Sequence, residues 1–118
     1  MEYERAGSAR QLEIKRLVDE QIVKYTVKAM TPREIVLQVQ ARDVNYVQID
    51  VEGMDNLVVQ SLPLGEHGFN PKAILYENHA GYDVMEHLEQ HGYEVCCCMK
   101  WSGNNMLAVK KTYLNELG

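Results

Sequence analysis

The sequence predicts an α/β protein whose sheet is mostly parallel and ends in an antiparallel hairpin. An apolar, β-branched run from Val44 to Val51 passes through Glu52-Gly53 into the helical spacing Met54, Leu57, Val58, Ser61, Leu62. A second passage of the same kind leads from the strand Lys72 to Glu77 into Tyr82, Met85 and Leu88. The turn Ser102-Gly103-Asn104-Asn105 then separates an expected strand, Tyr93 to Met99, from its antiparallel partner, Met106 to Val109.

At 118 residues the chain has the length of one domain. Its 46% apolar and 25% charged residues suit a folded protein and argue against general disorder. Twelve basic residues against seventeen acidic ones give a net charge of -5, which argues against nucleic-acid or anionic-membrane partners. No leader-like segment opens the chain and no apolar run has membrane-spanning length, so a cytoplasmic location is expected. Cys96-Cys97-Cys98 has neither metal-loop nor CxxC spacing; strand-filling thiols are expected, with an exposed reactive thiol as the alternative.

Residues 1–24 form an N-terminal segment. Met1 to Ala9 lack periodicity and are read as loosely ordered. From Gln11 onward Ile14, Leu17, Val18, Gln21 and Ile22 mark one face of an amphipathic helix. The remaining body, 25–118, opens with the alternation of Tyr25, Val27 and Ala29 against charged and polar neighbours, which predicts a half-buried strand. Thr31-Pro32-Arg33-Glu34 is a helix start, with threonine at the cap, proline in the first turn and glutamate at the reciprocal position. Arg42-Asp43 turns into the central strand, a helix runs from Gly53 or Met54 to Leu62, and Gly65 to Gly68 form a loop. Gly92 ends the next helix.

The chemistry concentrates at two strand ends. Asp50 and Glu77 close successive strands, and Glu52 and His79 lie two residues farther along each. Such a group can orient a hydroxyl or amine, act as a base or hold a hard cation. The plainer alternative has Asp50 or Glu52 capping the following helix and Glu77 solvated. His87 and His91 are one helical turn apart, but their polar neighbours place them on a solvent-facing surface and no metal site is expected. Tyr46, Tyr76, Tyr82 and Tyr93 are read as packing residues, and no phosphate-cradling glycine loop is present.

Val44-Asn45-Tyr46-Val47-Gln48-Ile49-Asp50-Val51-Glu52-Gly53-Met54-Asp55, then Pro71 to Glu77, then Gly103 to Val109, resembles the C-terminal half of an FkbM-like methyltransferase. The IDVEG segment is the most specific part, and the resemblance covers roughly 25–111. It implies a truncated Rossmann-like methyltransferase sheet of the class I, S-adenosylmethionine-dependent type. Val44 to Val51 is like the fourth strand, Lys72 to Glu77 like the fifth, and the last pair like the closing hairpin. By the same resemblance Asp50 orients or deprotonates an acceptor hydroxyl and Glu77 shapes the acceptor pocket, so both are candidate catalytic residues. Glu52 and His79 are candidate substrate-binding residues.

A complete relative carries an N-terminal half with a glycine-containing loop and a ribose-binding acid. Only 1–24 precedes the resemblant part here, so the chain alone is expected to bind no cofactor; S-adenosylmethionine would bind only where an oligomer or partner completes the site. Two functions follow. One is a methyltransferase-derived small domain without independent catalysis, acting in binding or assembly. The other is a split or oligomeric O-methyltransferase acting on a small-molecule or sugar hydroxyl. The bare strand edge and the Ile14/Leu17/Val18/Ile22 stripe both seek burial, so a homodimer is expected, with a separately encoded N-terminal half as the alternative partner.

Overall fold

The computed structural model describes residues 2–79, 83–96 and 104–117, with side chains outside 2–7 and 83. Helices α1 (Glu2–Gln21) and α2 (Pro32–Gln38) precede strand β1 (Tyr46–Gln48). Helix α3 (Asp55–Ser61), β2 (Ala73–Glu77) and α4 (Asp83–Gln90) follow, then β3 (Tyr93–Cys96), β4 (Asn105–Lys110) and α5 (Lys111–Leu117). The four strands form one sheet in the order β1-β2-β4-β3. Among the described residues no helix is long and apolar enough to cross a membrane.

The class is α/β as expected, and the sheet is mixed, with a parallel start and an antiparallel hairpin at its end. Strands β1 and β2 pair in parallel, with Val47 opposite Ile74, and β3 runs in the same direction. The chain reverses after β3 and inserts β4 beside β2, so β4 is antiparallel to both of its neighbours. The expected central strand is short and lies at the edge: its regular part is Tyr46–Gln48, prolonged at one end by Ile49 N–H to the Leu75 carbonyl and at the other by Lys72 and Ala73 N–H to the Asn45 carbonyl.

The register sorts the strand side chains onto two faces. Ile74 and Tyr76 stand opposite Ala108 and Met106, and all four are buried. Val59, Leu62, Val84 and Leu88 join them in one core that also takes in Ile49, Phe69 and Tyr93. Burial of this set drives the fold. Contrary to what its apolar run suggests, strand β1 is not buried on both faces, because Tyr46 and Gln48 point to a side that no core residue covers among the described residues.

Three local expectations hold. Thr31 Oγ1 accepts from the Glu34 N–H and the Glu34 carboxylate accepts from the Thr31 N–H, which closes the capping box at α2. Pro63 follows α3, and Gly92 takes a left-handed φ of 86° just after α4. Arg33 pairs with Glu66, tying α2 to the following loop, and holds the Glu66 carboxyl below its usual range.

Four expectations are corrected. Helix α1 begins at Glu2 instead of after a loosely ordered stretch, since Glu2, Glu4, Arg5, Ala6 and Ala9 favour helix without forming an apolar stripe. Residues 22–30 form no regular strand: Tyr25 and Val27 are each 83% exposed, and alternation without a ladder partner does not make a strand. Cys96 is exposed rather than filling the core, while Cys97 and Cys98 lie outside the described residues, as do Tyr82, Trp101 and the first half of the 102–105 turn. Helix α5 adds an element after the hairpin, where the Lys72 ammonium stands 4.8 Å from the centre of the Tyr113 ring.

Tyr76 and Tyr93 give a test of the core. Burial pushes both phenols up to about 12. The Tyr93 hydroxyl donates to the Pro71 carbonyl, whereas that of Tyr76 has no partner among the described residues. Tyr93→Phe should therefore cost about 1 kcal/mol of unfolding free energy in urea titration, and Tyr76→Phe should cost nothing or stabilise.

Candidate functional site

The site grows from the way β1 ends. After Ile49, Glu52 and Gly53 adopt left-handed φ values of 49° and 102°. Glycine takes such a backbone without steric cost, and the double turn swings the chain into α3. The turn also brings Asp55, in the first turn of α3, back over the strand ends. Its Oδ1 accepts from Val51 N–H at 3.2 Å and its Oδ2 from Glu77 N–H at 3.1 Å. One carboxylate thus bridges the ends of both parallel strands.

Asp55 is completely buried, so its oxygens need these donors. Asn56 completes the arrangement. Its Nδ2 donates to Asn78 Oδ1 at 3.0 Å, and its Oδ1 accepts from His79 N–H at 3.2 Å. Adjacent side chains of α3 therefore hold the Glu77 and His79 backbone and the Asn78 side chain.

The strand ends enclose an open cleft of about 230 Å³, lined by residues that include Asp50, Glu52, Glu77, Leu75 and Asn105. The structure brings together Asp50, Glu52 and Glu77 as the sequence led us to expect. His79 stands apart from the lining. Its Nε2 is 3.5 Å from Glu77 Oε2 and 3.8 Å from Asp55 Oδ1, so it contacts the clamp and the back of the cleft. Three carboxylates at one mouth can accept hydrogen bonds from hydroxyl or amine groups. Among the described residues no group of three or more side chains has metal-site geometry.

The alternative in which Asp50 or Glu52 caps α3 is not how the chain folds. Met54 occupies the cap position and makes no side-chain bond there. Asp55 and Asn56 carry the architecture, although neither was a candidate from the sequence. An aspartate directly after a glycine turn at a helix start was the available signal, but its reach to Glu77 N–H depends on the sheet pairing.

His87 and His91 sit at the end of α4 with ring centres 4.5 Å apart. His91 Nδ1 donates to the His87 carbonyl. His87 is half-buried rather than solvent-facing, and its Nε2 has no partner among the described residues. Burial first, then the charge of His91, lowers its pKa.

Comparison with protein-family models, with curated proteins and with solved structures finds no match.

The clamp and the histidine each make a measurable claim. Asp55→Ala strands two backbone donors and should cost about 3 kcal/mol in urea unfolding, whereas Asp50→Ala at the exposed strand end should cost under about 0.5 kcal/mol. The depressed folded-state pKa of His87 means that the unfolded chain binds its proton more readily. Stability from this residue is complete above the unfolded value of about 6.5 and is lost as pH falls from there through the lower folded-state value. His87→Leu should flatten that acid-side decline in urea midpoint, and an unchanged slope would contradict the assignment.

Proposed function

We propose that this chain is a methyltransferase-derived small domain that lacks independent catalysis and acts by assembly, as a homodimer. The observation that carries the reading is the amount of apolar surface the folded chain leaves open. Ile14, Leu17, Val18 and Ile22 on and just after α1 are each about half exposed, at 49–52%. The edge strand β1 carries Tyr46 at 51% and is followed by Val51 at 45%. A contiguous apolar helix face and an unpaired strand edge in one small protein call for a partner surface.

The ancestry rests on the IDVEG resemblance. It is supported by a parallel strand pair followed by an antiparallel hairpin, with Asp50 and Glu77 at neighbouring strand ends. The cleft supports a second reading, a split or oligomeric S-adenosylmethionine-dependent O-methyltransferase. In it Asp50 would orient or deprotonate an acceptor hydroxyl, Glu77 would shape the pocket, and Glu52 and His79 would hold the substrate. A second copy or a separately encoded N-terminal half would complete the cofactor site. We favour assembly because burial of the open surface is a general physical demand, whereas the catalytic roles rest on resemblance.

Solution mass followed by calorimetric titration with S-adenosylmethionine tests the choice. Assembly predicts a dimer that gives no binding heat. Saturable binding with a defined stoichiometry would overturn the noncatalytic reading, and a monomer at every concentration would overturn assembly. In an assembly that does transfer methyl groups, Asp50→Asn should abolish transfer while leaving the fold intact.

A further inference from the structure

Among the described residues the sheet is covered on one face only. Opposite the core face, the register places Tyr46, Ala73, Leu75, Leu107 and Val109 side by side, and none of them is buried. A sheet containing parallel strands is ordinarily packed on both sides. The acidic cleft opens on this same bare face, because Leu75, Glu77 and Asn105 of its lining belong to it.

Helix α1 has the matching character. Its stripe runs through Ile14, Leu17 and Val18 to Ile22, just beyond the helix end. At 100° per residue Arg10 lies on that stripe, four residues before Ile14, while Lys15, three before Val18, and Glu13, four before Leu17, border it on opposite sides. Arg16, Asp19 and Glu20 lie on the far side, where Arg16 and Glu20 face each other at 4.0 Å. The bare sheet face carries Glu77 and Glu94 and no basic side chain among the described strand residues. An apolar stripe that carries two cations and one anion thus complements an apolar sheet face whose charged strand residues are anions.

The chain holds the two surfaces apart. Its radius of gyration is 20.0 Å, against roughly 13.5 Å for a compact chain of this length. Residues 22–30 form an exposed connection without regular structure, long enough to carry α1 away from its own sheet.

We infer that α1 of one copy packs on the open sheet face of a second copy, roofing its acidic cleft and placing Arg10 and Lys15 near its carboxylates. The exchange is reciprocal. Each copy supplies one helix and receives one, so the contact forms twice about a two-fold axis. This inference rests on the assembly reading above and specifies its interface. The occupied cleft would be a composite site, with carboxylates from one copy and cations from the other.

The test uses the full chain with Val18 replaced by the photoreactive p-benzoylphenylalanine, prepared in isotopically light and heavy forms that are mixed before illumination. Light-to-heavy crosslinks to residues 73–77 or 105–110 are expected. A dimer whose crosslinks stay within one chain, join α1 to α1 or reach only other surfaces would overturn this interface while leaving assembly standing. A monomer would remove both. Because α1 stands off the core, Val18→Asp provides a second arm: far-ultraviolet and urea signatures should be retained while dimer affinity falls at least about tenfold, as loss of one buried apolar side chain from each half-interface requires. Unchanged affinity in that variant would also overturn the proposal.

Discussion

The Asp55 carboxylate joins the ends of the parallel strands through one hydrogen bond to each, and the geometry of the cleft depends on it. Without that bridge the C-terminal end of β1 has only the bond from Ile49 N–H to the Leu75 carbonyl beyond its three regular residues to hold it against β2. The side chain is fully buried, and backbone N–H groups replace water as its donors. The neighbouring Asn56 extends the same control to Asn78 and His79. The acidic residues at the mouth are therefore free to face solvent or a ligand, since the fold does not rely on them.

The second constraint is that, among the described residues, the sheet has only one packed face. Core formation consumes Ile74, Tyr76, Met106 and Ala108 and leaves the alternate residues of β2 and β4 half-exposed. Side-chain alternation makes this division unavoidable once the register is set. The cleft then lies where the open face meets the strand ends, and a covering element would act on packing and on the site together. That coupling connects the exposed helix α1 with the acidic cleft through structure rather than through sequence proximity.

Much of the fold was legible where local chemistry decides it. Thr31-Pro32-Arg33-Glu34 specifies a helix start by short-range bonds, and the strand-to-helix switch around Gly53 and the hairpin preceding β4 have strong local signals. The meeting of Asp50 and Glu77 was legible because successive strands tend to pair. Pairing decisions were less accessible. The alternation of Tyr25, Val27 and Ala29 resembles a strand, but no ladder receives it among the described residues. The insertion of β4 beside β2, and with it the mixed sheet, depends on long-range geometry. Asp55 escaped for the same reason, as its second acceptor bond reaches 22 residues along the chain.

Amide hydrogen exchange at Val51 and Glu77 tests the central claim most directly. If Asp55 bridges the strand ends, both amides in the native protein exchange slowly, and Asp55→Ala accelerates both together while amides in the middle of β4 keep more of their protection. Fast exchange at Val51 and Glu77 in the unaltered protein, at rates typical of exposed loops, would contradict the account. The cleft would then need another source of order.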